Sequence, residues 1–183
     1  MKSWLGKAPS RLLTASHNGH VTMSTGNLRI NLPRLLRSIA QLAEIGSIEG
    51  GGVNRLALTD EDRDARDRVV SWMREAGLDI TIDQVGNVIG TRKGNQDSNA
   101  PVLIGSHIDT VARGGRYDGT LGVLAGLEVI HCLNDAVIET EHPIAVGFFT
   151  NEEGVRFQPD MMGSMVHQGH LPVDEMLLST DRD

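Results

Sequence analysis

The sequence predicts an α/β fold, a mixed and mostly parallel sheet flanked by helices, and three observations predict it. Two short apolar runs, Val102-Leu103-Ile104 and 144–149, read as strands covered on both faces. Between them, 119–134 is an apolar helical segment in which Gly122, Ala125 and Gly126 allow close packing. Strand, helix and strand in that order form the unit whose strands pair in parallel.

The remaining elements follow along the chain. Residues 1–26 read as a flexible basic tail, and 27–183 as part of one folded domain. Lys2, Lys7, Arg11, Arg29, Arg34 and Arg37 fall at the start, with no acid among the first 38 residues. No apolar stretch long enough for a signal peptide follows, so a targeting role is set aside. Pro33 suits a first helical turn, and Leu35, Leu36, Ile39, Leu42 and Ala43 line one helical face before Gly46. Gly50-Gly51-Gly52 is a flexible loop. Thr59 and Asp62 have the spacing of a capping box, with the shorter carboxylate in place of Glu. Ala65, Val69, Trp72, Met73 and Ala76 continue at helical spacing to a stop at Gly77. Leu78, Ile80 and Ile82 alternate with polar residues as in a half-buried strand, and 87–92 is a second strand. A polar connection, 93–100, leads to the first apolar run.

Composition narrows the function classes. The chain has 183 residues, 39% of them hydrophobic, which supplies a core and excludes wholesale disorder. A formal net charge of −7, with only 3% aromatic residues, argues against a nucleic-acid partner. No apolar run reaches the 18 or so residues of a membrane span. Cys132 is the single cysteine, which excludes an internal disulfide and fits a reducing, cytoplasmic compartment. Its place in the apolar helix makes it a small core residue.

Both apolar runs end in polar residues of one kind. After the first come Gly105, Ser106, His107, Ile108 and Asp109; after the second come Thr150, Asn151, Glu152, Glu153 and Gly154. Sites in open α/β sheets lie at the carboxyl ends of strands, so the two clusters can converge. Asp118 stands in a glycine-flanked loop just before the apolar helix. His107 offers an imidazole to a divalent metal, and Asp109, on the same side of an extended segment, can accept its other ring N–H. Asp118 has two oxygens with which to bridge two ions. Of Glu152 and Glu153, one can bind metal while the other takes a proton from water made acidic by the metal. Each residue alone has an ordinary reading: a satisfied polar histidine, an Asp-Gly turn, a solvated acidic edge. Residues alone leave both readings open, a metal hydrolase and a set of solvated strand ends.

Other candidates carry less. His167 and His170 read as surface residues of a loop, because Gly169 and Pro172 interrupt a helix there. The 50–52 glycines lack the Gly-Lys-Ser/Thr ending of a phosphate loop, and Ser106 lacks the frame of a nucleophile elbow.

Three ordered stretches carry a resemblance: Gly105-Ser106-His107-Ile108-Asp109-Thr110-Val111, Gly114-Gly115-Arg116-Tyr117-Asp118-Gly119, and Asn151-Glu152-Glu153-Gly154. With Arg55-Leu56-Ala57-Leu58-Thr59 and Arg156-Phe157-Gln158-Pro159, they resemble M20-type metallohydrolases. The closer likeness is to the hydantoinase/carbamoylase branch, which holds N-carbamoyl-L-amino acid hydrolases and allantoate amidohydrolases. The resemblance implies a zinc aminopeptidase-like catalytic domain holding two divalent ions per complete site, zinc or in its place manganese, cobalt or nickel. It implies that His107 binds one ion, Asp118 bridges both and Glu153 binds the second. Glu152 is then the general base, and Asp109 the partner of His107. The implied reaction is hydrolysis of a non-peptide C–N bond in a small ureido or amide substrate. The implied assembly is a homodimer. Ala112 departs from the proline of many relatives, which bears on loop rigidity.

Family chains run further, adding two histidine ligands, a substrate-binding arginine and an inserted domain. The expectation is therefore an N-terminal portion of the catalytic domain with little activity by itself. The alternative from another class is an inactive relative that serves as a binding or assembly partner.

Overall fold

The computed structural model describes residue 26 and residues 28–96 and 100–182. All of the expected tail but Gly26 lies outside the described residues. The elements run α1 (Leu32–Ala43), α2 (Asp60–Glu75), β1 (Asp79–Ile82), β2 (Val88–Arg92), β3 (Val102–Ser106), α3 (Thr120–Asp135), β4 (Ile144–Phe148), α4 (Met162–His167) and α5 (Val173–Leu177).

Helix α1 begins where Asn31 accepts the backbone N–H of Arg34 at 3.1 Å. It buries Leu35, Ile39 and Leu42, while Leu36, expected on that face, is exposed. The spacing of the buried three is the narrower stripe of one helix contact. Helix α2 starts at the expected cap, with Asp62 N–H donating to Thr59 Oγ1 at 3.3 Å. The reciprocal arm reaches one residue further back than a capping box does, because Asp62 Oδ2 accepts from Leu58 N at 2.9 Å. Asp62 is buried, and burial pushes its carboxyl above the usual carboxylate range, against the pull of Arg66. Ala65, Val69, Val70 and Met73 face the core, where a fully buried valine or methionine contributes about 1.5–3 kcal/mol.

The sheet is mixed, as expected, in the order β1-β2-β4-β3. Its balance is less parallel than the sequence suggests: among the described residues only β3 and β4 pair in parallel, whereas β1–β2 and β2–β4 are antiparallel. The short turn between β1 and β2 makes them a hairpin, which must be antiparallel. The β3–α3–β4 crossover gives the parallel pair. Helix α3 packs closely on it, since a Cβ on Gly126 would stand 3.0 Å from Ile104 Cγ2 and one on Gly122 2.9 Å from Ser106 Cβ.

Strand β4 is buried as predicted, but β3 is not. Val102 is 51% exposed and Leu103 40%. Among the described strands β3 is an edge, with β4 on one side only, and the close approach of α3 falls on its Ile104 and Ser106 end. Cys132 also departs from expectation. It is half-buried rather than in the core, and its thiol lies 3.4 Å from both Glu128 Oε1 and the Arg29 carbonyl. The carboxylate beside it joins α1 to α3: Glu128, itself buried, pairs with Arg34 at 2.7 Å and accepts the N–H of Asn31 at 2.7 Å. His167 and His170 are exposed as expected, although His167 closes the short helix α4. No helix of the described residues is long and apolar enough to cross a membrane.

Candidate metal centre

Parallel pairing puts the carboxyl ends of β3 and β4 side by side. Ser106 is in register with Phe148, and Phe149 N–H extends the ladder by donating to the Ser106 carbonyl at 3.0 Å. His107 leaves one strand and Thr150 to Glu153 leave the other at the same edge of the sheet.

His107 is 5% exposed, and its Nδ1 lies 2.9 Å from the backbone carbonyl of Asp109. A carbonyl only accepts, so the geometry assigns the ring proton to Nδ1 and leaves the Nε2 lone pair free. Nε2 faces Glu152, whose Oε2 is 3.3 Å away. One ligand atom each from His107, Glu152 and Glu153 lie within 4.8 Å of one another. A neutral imidazole and two ionised carboxylates offer electron pairs and no hydrogen, and such a set can hold a cation. The donor set therefore fits a divalent metal of the kind the sequence implied. Gly119 closes the other wall of the ring. A Cβ there would stand 2.5 Å from both His107 Cε1 and Nε2, and its φ of +59° is one that glycine adopts readily.

Two expected residues take other places. The carboxylate of Asp109 is 3.7 Å from His107 Nδ1 and does not hold the ring. It accepts instead from the backbone of the acidic pair, Oδ1 from Glu152 N at 3.3 Å and Oδ2 from Glu153 N at 3.2 Å. The short turn brings Asp109's own carbonyl to the imidazole, and the carboxylate accepts the two amides of the acidic pair. Asp118 is exposed and stands outside the ligand-spaced group, though its charge acts on Glu153. Burial pushes the Glu153 carboxyl up; His107, when protonated, draws it down, and Asp118, Glu152 and Asp109 add to the rise.

Sequence reasoning assigned no structural role to the residues that fix these loops. Asn87 Oδ1 accepts Thr150 N at 3.0 Å while its Nδ2 donates to the Gly163 carbonyl at 2.8 Å. Asn151, with φ +54°, donates through Nδ2 to the Phe157 carbonyl at 3.0 Å. Arg55 donates through Nε to the Ile108 carbonyl at 2.8 Å. All three are buried. These partners of Asn87 and Arg55 lie 53 to 76 residues away, so no local pattern announces them, whereas that of Asn151 lies six residues on within its own loop.

The fold and this group of side chains define a class, an α/β domain with a histidine–carboxylate cluster at adjacent strand ends. The family model of Peptidase family M28 matches residues 87–168, the segment that carries the site. The relatives narrow the class. The N-carbamoyl-L-amino-acid amidohydrolase of Rhizobium meliloti is 48% identical over 143 residues, covering 78% of this chain and 34% of its own length. Allantoate deiminase 1 of Glycine max is 35% identical over 157 residues, 82% of this chain and 32% of that protein. The crystal structure of a hydantoinase/carbamoylase family amidase from Burkholderia ambifaria superposes with a TM-score of 0.83 at 52% identity, covering 85% of this chain and 38% of that one. The chain spans about a third of the length of the curated relatives it matches. The resemblance expected from the sequence holds: the chain is similar to a part of hydantoinase/carbamoylase family amidases.

Proposed function

We propose that this chain supplies the first ligands and the general base of a metal-dependent amidohydrolase that cleaves a non-peptide C–N bond in a linear amide. The convergence of His107 Nε2 with the Glu152 and Glu153 carboxylates carries the reading. His107 and Glu153 would hold divalent metal, with Asp118 joining from the loop before α3 to serve two ions. Zinc fits these donors, as do manganese, cobalt and nickel. Such an ion supplies Lewis acidity and brings the pKa of water from 15.7 to about 7.

The chain's own residues do the rest. Glu152, with a third of its side chain exposed, is open to solvent and takes the proton of the attacking water. Asp109 holds the Glu152–Glu153 backbone, so the two carboxylates enter the site from a fixed turn. The Asp109 carbonyl keeps His107 in one tautomer, and Gly119 leaves its ring room to face the acids.

N-carbamoyl-L-amino acids are the proposed substrates, supported by the names of the relatives at 46–48% identity. The plant allantoate deiminases support allantoate as the second candidate. The test is ammonia release from both compounds by the purified protein with zinc, manganese or cobalt, wild type against Glu152→Gln. Metal-stimulated release that Glu152→Gln abolishes supports the proposal, and the faster substrate decides between the two. Metal binding without turnover of either moves the reading to a binding or assembly partner. Absence of metal binding overturns it.

A further inference from the structure

Arg55 is 1% exposed, yet no carboxylate is among its hydrogen-bond partners. Nε donates to the Ile108 carbonyl at 2.8 Å, and Nη1 to the carbonyls of Leu42 at 3.1 Å and Ile45 at 2.9 Å. Nη2 reaches Thr120 Oγ1 at 3.4 Å. The backbone joins in, because Arg55 N–H donates to Thr110 Oγ1 at 2.9 Å and Thr110 N–H to the Arg55 carbonyl at 2.8 Å. A leucine or methionine would fill this place without the cost of burying a charge. What an apolar residue cannot do is tie the end of α1, the 107–110 segment and the start of α3 to one rigid, planar fork.

The ties bear on the site. The Ile108 carbonyl belongs to the peptide between Ile108 and Asp109, and the Thr110 N–H that donates to the Arg55 carbonyl shares a peptide with the Asp109 carbonyl facing the ring, so the bonds of Arg55 hold both peptides. Thr120 adjoins Gly119, whose backbone forms the other wall of the imidazole. Both sides of the ring thus lead back to one guanidinium.

We infer that Arg55 is a positioning residue of the proposed metal site, fixing the 107–110 backbone so that His107 Nε2 faces Glu152 and Glu153. The inference rests on the reading of His107 and Glu153 as metal ligands and of Glu152 as the base beside them. Arg55→Lys keeps the charge and replaces the fork with a single nitrogen. Val69→Ala, a cavity in the core of α2, is the control for simple loss of stability.

Three quantities are measured on the whole chain: melting temperature, cobalt(II) affinity from visible absorption, and amide hydrogen exchange. Both variants melt lower. Only Arg55→Lys weakens cobalt binding, by roughly 10–100-fold as for other residues that orient ligands, and only it loses protection at Thr110, Glu152 and Glu153. Cobalt affinity equal to wild type in Arg55→Lys, or an equal loss in Val69→Ala, overturns the inference. Should Arg55→Lys not fold, Thr110→Val cuts the Arg55 N–H to Thr110 Oγ1 bond at nearly constant volume, and unchanged affinity there overturns it. A wild-type chain that takes up no cobalt overturns the metal reading instead. Exchange then decides the matter of Arg55: selective loss at Thr110, Glu152 and Glu153 upholds its role, and unaltered protection ends it.

Discussion

The carboxylate of Asp109 accepts the backbone N–H of Glu153 at 3.2 Å through one oxygen while the other takes that of Glu152 at 3.3 Å. Two oxygens thus answer two donors, and the turn that carries both acids is locked to the segment that carries His107. Asparagine at this position offers one acceptor and turns an N–H toward the second amide. Asp109→Asn is expected to lower metal affinity by about 10–100-fold, measured by cobalt titration. An affinity equal to wild type means that the two bonds do not set the site.

Glu152 and Glu153 separate by function. Glu152→Gln removes the proton acceptor and is expected to slow hydrolysis by about 10²–10⁴-fold while metal still binds. Glu153→Gln is expected to weaken metal binding itself. Rates of ammonia release set beside cobalt affinities distinguish them, and the reverse pattern exchanges the two roles.

Gly119→Ala places a methyl 2.5 Å from the His107 ring in a backbone region that alanine disfavours. The ring or the loop must move, at about 1–3 kcal/mol of stability. Thermal unfolding reads the loss, and the histidine resonances of an NMR spectrum read the displaced ring. An unmoved His107 resonance with full stability contradicts the close contact.

Acid sensitivity is expected at the contact between α1 and α3. Burial pushes the Glu128 carboxyl up, but its bonds from Arg34, the Asn31 N–H and the Cys132 thiol outweigh burial and hold it below its usual value. A carboxyl depressed in the folded state stabilises fully above its unfolded pKa, about 4.3, and loses that contribution as pH falls through the folded value. Glu128→Gln is expected to cost about 1.5–3 kcal/mol at pH 7, and its deficit relative to wild type narrows below about pH 4.3. Urea unfolding of both proteins from pH 7 to pH 3 gives the two curves. A deficit constant across that range removes Glu128 as the source.

Local chemistry was legible in the sequence, and long-range satisfaction was not. The Thr59 cap and the small residues of α3 act on neighbours a few positions away or through a periodic face, so the pattern alone finds them. The convergence of His107 with Glu152 and Glu153 was legible because parallel strands must end together. Arg55 was invisible in its role, since its acceptors are backbone carbonyls and a hydroxyl 10 to 65 residues away. Alternation placed Asp109 on the side of His107, but it could not tell that two amides would compete for the carboxylate. An apolar run tells what a strand can bury, not what covers it, and Val102 and Leu103 show the difference.

The in-register pairing of Ser106 with Phe148 also governs which changes in chain length the fold can absorb. A single residue inserted within β3 or β4 would carry His107 about 3.3 Å along the sheet relative to Glu152 and turn the following side chains to the opposite face. The 136–143 connection enters β4 at the far end, beside Ile144, where length does not propagate to the site. Insertions and deletions are therefore expected to be tolerated at one end of this sheet and to disrupt the site at the other, so homologous chains can drift in outline while His107, Glu152 and Glu153 keep their spacing.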